Sequence, residues 1–302
     1  MKYPIMKLVL IINIISVMFL CTGCSDNSII RSDPPVAEYT QIDFEPSWSP
    51  DASTLAYIHS DINSDYTGIY LIKPDGTDNR PVINDFARCP DWSSDGKYII
   101  FSQFDQIFKL KIEDNTIAQL TSGGKNFFPD WCPDSGLIVY SKSINSTDYN
   151  IFIMDSDGNL NHQIEENANY PSWENGSSSL IYFKPSRLND GSQNGDTLVR
   201  YFLSDGSKEN IIELNGNAHL INMYPEYTGD GFIFCSFDNT GNVYIYSMDL
   251  SGNNIVKLTS GQSYSPDYSF ANNKIAYTNR TKGNGRVWIM DKNGNNKMQL
   301  TN

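Results

Sequence analysis

The chain has 302 residues, 39% of them hydrophobic and 13% aromatic, which is enough apolar surface for a sizeable core and too much for a disordered polymer. Its formal net charge of −13 repels phosphate backbones and excludes nucleic acid as an expected partner. Gly and Pro recur all along it, and no stretch after residue 23 has the apolar periodicity of a long amphipathic helix.

At the N-terminus, Lys2 and Lys7 flank the start of an apolar run over residues 8–20 that ends in Cys21-Thr22-Gly23-Cys24. The run is too short to span a bilayer comfortably and matches the core of a signal peptide. Small residues just before a cysteine make the segment similar to a bacterial lipobox, with Cys21 where leucine is usual and Leu20 one place earlier. That resemblance implies a lipoprotein signal peptide over residues 1–23 and lipidation of Cys24, so that the membrane is met through the anchor alone. Residues 24–43 then hold a polar tether (25–35) and a segment (36–43) that can add a closing strand to the domain beyond it. Three cysteines remain, Cys89, Cys132 and Cys235; their number is odd and none forms a CxxC pair, so they read as small buried residues of strands.

From residue 44 to 302 one unit repeats. Pro46-Ser47-Trp48, Pro90-Asp91-Trp92, Pro129-Asp130-Trp131, Pro171-Ser172-Trp173, Pro225-Glu226-Tyr227 and Pro266-Asp267-Tyr268 share a Pro-x-aromatic pattern, with prolines 44, 39, 42, 54 and 41 residues apart. In most units a turn comes next, such as Ser93-Ser94-Asp95-Gly96, and then a β-rich run, as at 98–101, 137–140, 180–183, 232–235 and 274–277. A third run (69–72, 107–112, 151–154, 199–203, 243–248, 287–290) mostly ends in an Asp-Gly or Asn-Gly turn, the dipeptides that join hairpin strands. A fourth run closes the unit, as at 118–121, 255–259 and 298–301. The period is that of a four-stranded propeller blade, so the expected fold is all-β: a six-bladed β-propeller of four-stranded antiparallel blades. A closed ring of this kind is expected to be a monomer, with the repeated Trp or Tyr filling the wedge between blades.

Pro-x-Trp-Ser-Pro-Asp, an apolar strand, then Ile-Tyr and Met-Asp runs, an Asp-Gly turn and a Leu-Thr ending resemble the repeat of TolB-like propellers, most clearly at residues 46–76 and 287–301. The resemblance is specific for fold because six copies align, and weak for function because such blades serve scaffolds, sugar-active proteins and peptidase gates. About twenty residues lie between Cys24 and the first repeat, where family members can carry a separate domain.

No Gly-x-Ser-x-Gly elbow, phosphate loop or His-Glu-x-x-His pattern is present. The three histidines, His59, His162 and His219, fall at different positions of the repeat, which argues against the shared metal that propeller-type lyases hold. Two sets of residues stand out. Between proline and aromatic, Asp91, Asp130, Glu226 and Asp267 are expected to point toward the central channel. They can latch onto the next blade's backbone, or hold a hard cation such as Ca²⁺ as a cofactor. Just before the proline, Phe128, Tyr170, Tyr224 and Tyr264, with Arg88 and His219 nearby, fall where one blade crosses to the next, and are divided between blade packing and a binding rim. The expected function is non-catalytic: an anchored cell-envelope module that docks an envelope protein or a glycan on that rim. A propeller-type polysaccharide lyase or hydrolase is the alternative.

Overall fold

The computed structural model describes residues 41–61, 67–145, 148–174, 176–187, 193–215, 222–238, 240–280 and 284–302. Cys24, His219 and the 1–40 segment lie outside them. The described residues form six antiparallel sheets of four strands, each built from strands consecutive in the chain. Blade 1 covers residues 41–81, blade 2 88–119, blade 3 125–165, blade 4 169–215, blade 5 222–257 and blade 6 263–299. The expected six-bladed propeller is therefore the observed fold.

Burial falls outward across each blade, and the sequence pattern tracks it. Second strands are covered on both faces by neighbouring blades and read as nearly unbroken apolar runs, as in Tyr98–Gln103 (YIIFSQ) and Gly231–Phe237 (GFIFCSF). Third strands mix buried and half-buried residues, as in Gln106–Lys111, and the outer strand Thr116–Gln119 is exposed throughout. The core is accordingly divided into six apolar clusters, one in each seam between adjacent blades. Trp48, Trp92, Trp131, Trp173 and Tyr268 are all buried in these seams. Tyr227, the sixth, is half-buried and lies against Phe232 and Phe270. Cys132 and Cys235 are buried and Cys89 half-buried, and all three are free thiols.

Among the described residues the ring closes without exchange of a strand between first and last blades. Gln41, Ile42 and Asp43 do not form an extra strand; they open the innermost strand of blade 1, Gln41–Trp48. Its flank is tied to blade 6 by Asp43 N–H donating to the Gly285 carbonyl (2.9 Å), Arg286 Nη1 donating to the Gln41 carbonyl (2.9 Å) and Glu45 N–H donating to Thr278 Oγ1 (3.0 Å). Consecutive antiparallel order also fixes the two faces. First-to-second and third-to-fourth turns share one face; second-to-third loops and blade crossovers share the other.

Candidate functional site

The innermost strands line the central channel with one edge unpaired, which is why each tolerates a proline that lacks an N–H. Their pairing to the second strands is interrupted at the same place in every blade. Phe44 pairs Ile58 and Ser47 pairs Ala56; Arg88 pairs Ser102 and Asp91 pairs Ile100; the other four blades repeat this shift. Two residues thus bulge opposite one. The first of the two, the residue before the proline, has a left-handed backbone in all six blades: Glu45 (φ 51°), Cys89 (49°), Phe128 (53°), Tyr170 (54°), Tyr224 (52°) and Ser265 (47°). A non-glycine residue there costs about 1–3 kcal/mol, and right-handed helical geometry is closed to it by the succeeding proline. Opposite every bulge the second strand carries a fully or almost fully buried aromatic: Tyr57, Phe101, Tyr140, Tyr182, Phe234 and Tyr277.

The bulge gathers the six pre-proline residues at one mouth of the channel, on the face of the second-to-third loops. Blades 3, 4 and 5 supply a continuous aromatic arc. Ring centroids lie 4.5 Å apart for Phe128 and Tyr170, 4.9 Å for Tyr170 and Tyr224, and 5.8 Å for Phe128 and Tyr224. All three are half-buried. Burial pushes the phenols of Tyr170 and Tyr224 far above their ordinary range, so both stay neutral. Blades 1, 2 and 6 supply the polar remainder. Arg88 Nε donates to both oxygens of Glu45 (2.8 and 3.0 Å), Arg88 Nη2 also bonds Glu45 Oε1, and Glu45 Oε2 accepts the Cys89 N–H at 2.7 Å. Burial and the Glu45 charge hold the Cys89 thiol well above its ordinary value, which leaves it a poor nucleophile.

One layer deeper, past the prolines, stand Ser47, Asp91, Asp130, Ser172, Glu226 and Asp267. Three of the carboxylates reach across a seam. Asp91 Oδ2 accepts the Trp131 N–H (2.6 Å), Asp130 Oδ2 the Trp173 N–H (2.5 Å) and Asp267 Oδ2 the Trp48 N–H (2.6 Å). Glu226 is hydrogen-bonded by Ser172. Burial pushes Asp91 up to about 6 and Asp267 up to about 7. Asp130 and Glu226 are raised well above their ordinary values by burial and by the repulsion of neighbouring ring carboxylates. The latch expected from sequence is thus formed at three of four acids. Among the described residues no three His, Cys, Asp or Glu side chains stand close enough together to hold a metal ion.

Mouth and ring enclose one cavity of about 80 Å³, room for a few waters or the tip of one side chain. Of the rim residues named from sequence, Phe128, Tyr170 and Tyr224 meet there and Arg88 stands behind Glu45. Tyr264 does not belong to this set. It lies two places before its proline, on the far side of the bulge, and is 6% exposed in the blade 5–6 seam, with its hydroxyl donating to Gln262 Oε1 at 2.8 Å. The two described histidines lie apart: His162 is exposed in blade 3, whereas His59 Nδ1 lies 2.6 Å from the buried Asp43 carboxylate beside the ring closure. That His59–Asp43 pair is not evident from sequence. Nor are the aromatics opposite the bulges singled out by it, although each stands eleven residues after its proline in five of the six repeats, a spacing visible in the sequence.

The sequence profile of the TolB beta propeller domain matches residues 31–178. A Tol-Pal system protein TolB from Nitratidesulfovibrio vulgaris is 31% identical over 94 residues, a match spanning 26% of this chain and only 20% of that relative. The crystal structure of TolB from Acinetobacter baumannii superposes with a TM-score of 0.65 at 16% identity, covering 87% of this chain and 80% of that one. An oligogalacturonate lyase in complex with manganese shares the fold at a TM-score of 0.57 and 10% identity, over 86% of this chain and 78% of that one. Likeness at such identities establishes architecture alone. Six repeats, six four-stranded blades and the profile match over residues 31–178 together support a TolB-like β-propeller.

Proposed function

We propose that this protein is a lipid-anchored binding scaffold of the bacterial cell envelope that docks a partner protein at the aromatic mouth of its channel. The observation that carries the reading is the Phe128–Tyr170–Tyr224 arc: three large rings set at a channel entrance by a backbone bulge that is itself unfavourable. Strain repeated in this way is found where a surface has a task, and half-buried aromatics beside a polar rim suit recognition. Similarity to a protein of the Tol-Pal system favours a protein over a glycan as partner. Catalysis is the weaker reading, since His59 and His162 lie far apart in the repeat order and Cys89 is held protonated.

Anchoring through Cys24 rests on the lipobox-like N-terminus. Cys24→Ala should abolish incorporation of a fatty-acid analogue and shift the chain out of the membrane fraction; persistent labelling would place the modification elsewhere. For docking, the tagged full chain is cross-linked in cells and purified beside the paired variant Tyr170→Ala, Tyr224→Ala. The partner should be lost from the variant while its melting temperature stays close to that of the parent. Retention of the partner would move the docking face away from this mouth.

A further inference from the structure

The channel mouth also has a charge preference. The cavity is lined by five carboxylates (Glu45, Asp91, Asp130, Glu226, Asp267), by Phe128, Tyr170 and Tyr224, and by prolines, serines and Cys89; among the described residues no Lys, Arg or His contributes to the wall. Arg88, the cation behind it, is held in a bidentate pair with Glu45, and its charge is thereby cancelled. An anion entering here would meet no free cation among the lining residues. An uncharged sugar would find three rings but too little volume, since a cavity of about 80 Å³ is smaller than the pockets that enclose whole small molecules.

A cation fits both layers. The faces of an aromatic arc attract a positive charge through the ring quadrupole, and the attraction strengthens where water is excluded. A primary ammonium has three N–H donors and no acceptor, matched below the arc by carboxylate oxygens and by the hydroxyls of Ser47 and Ser172. Its apolar stem would lie against Pro129, Pro171 and Pro225, on the same side of the channel as the arc. Burial and mutual repulsion leave Asp130 and Glu226 holding protons, and an entering ammonium would take the place of a proton there.

We infer that the mouth receives a lysine side chain of the docked partner, its ammonium held between the Phe128–Tyr170–Tyr224 arc and the carboxylate ring. The inference rests on the docking reading above and specifies the chemistry that the partner must present.

The test uses the full chain in detergent and ligand-observed NMR with two probes, Nα-acetyl-lysine methylamide and its neutral Nε-acetylated counterpart. The cationic probe should bind, and the neutral one about tenfold more weakly. Glu226→Gln and Tyr224→Leu should each weaken the cationic probe by a similar factor, with unchanged circular dichroism. If Tyr224→Leu does not fold, the isosteric Glu226→Gln carries the test alone. Equal binding of the two probes, no binding of either, or undiminished binding by the Glu226→Gln variant would overturn the inference. Should the partner still depend on Tyr170 and Tyr224 while the probes are not distinguished, the docking reading stands and this inference falls. Discrimination between probes with no dependence of the partner on the arc gives the reverse.

Discussion

Trp92 and Trp131 sit 8% exposed in successive seams and are tied in by different bonds: Trp92 Nε1 donates to the Ser47 carbonyl at 3.2 Å, and the Trp131 N–H to Asp91. Each ring is shared by two blades, so its loss opens a void that neither blade alone can close. Trp92→Ala and Trp131→Ala should each destabilise the fold by about 3–5 kcal/mol, read from denaturant midpoints. A loss well below that at both positions would mean that the rings are not core. Tyr170 and Tyr224 belong to another class: they touch one another around the channel and leave part of their surface open, so their removal is felt mainly by whatever occupies the mouth.

The innermost strand combines a bulge, a proline and a latch, and these are unequally legible in the sequence. The proline and the wedge aromatic recur in every repeat, so blade number and strand order come from spacing alone. The bulge carries no such mark. Its left-handed residue is Glu, Cys, Phe, Tyr, Tyr and Ser in turn and never glycine, the residue that ordinarily announces positive φ. Without it, positions one and two before the proline look equivalent, and so the sequence groups Tyr264 with Tyr224 although the bulge turns one into a seam and the other into the mouth. The pairs Glu45–Arg88 and His59–Asp43 are hidden for a related reason, because each depends on cross-blade or cross-strand register. The latch itself is testable. Asp130→Ala leaves the Trp173 N–H without its acceptor and should cost about 1–3 kcal/mol. Asp130→Asn keeps an acceptor oxygen and removes a repelled charge, so above neutral pH it should be as stable as the parent or more so. An equal loss in both variants would show that the charge, and not the bond, matters to the seam.

At the scale of the whole molecule, the channel ring links stability to pH. Asp91 and Asp267 rise from 3.8 to about 6 and about 7, and Asp130 and Glu226 are also raised well above their ordinary values. The folded state therefore binds protons more tightly than the unfolded chain, and the stability contributed by this ring is complete below the unfolded values and lost as pH rises through the folded ones. Glu165 acts in the opposite sense. Burial would raise it, but Lys184, Lys208 and the Tyr182 hydroxyl outweigh burial and hold it down to about 2, so its contribution is present above the ordinary carboxylate range and lost on acidification. The melting temperature should be highest near about pH 5 and fall toward about pH 8. Asp91→Asn with Asp267→Asn should flatten the upper limb, whereas an unchanged limb would place its origin in the net charge of −13 and not in the channel.

The central claim, that the aromatic mouth and not the opposite face meets the partner, is tested most directly by site-specific photo-crosslinking in living cells. A photoreactive amino acid is placed at Phe128, in the mouth, or at Leu250, 42% exposed in a third-to-fourth strand turn on the opposite face. The structure predicts a discrete cross-linked adduct from position 128 and none from position 250. An adduct from position 250 alone would contradict the account and assign docking to the other face of the propeller.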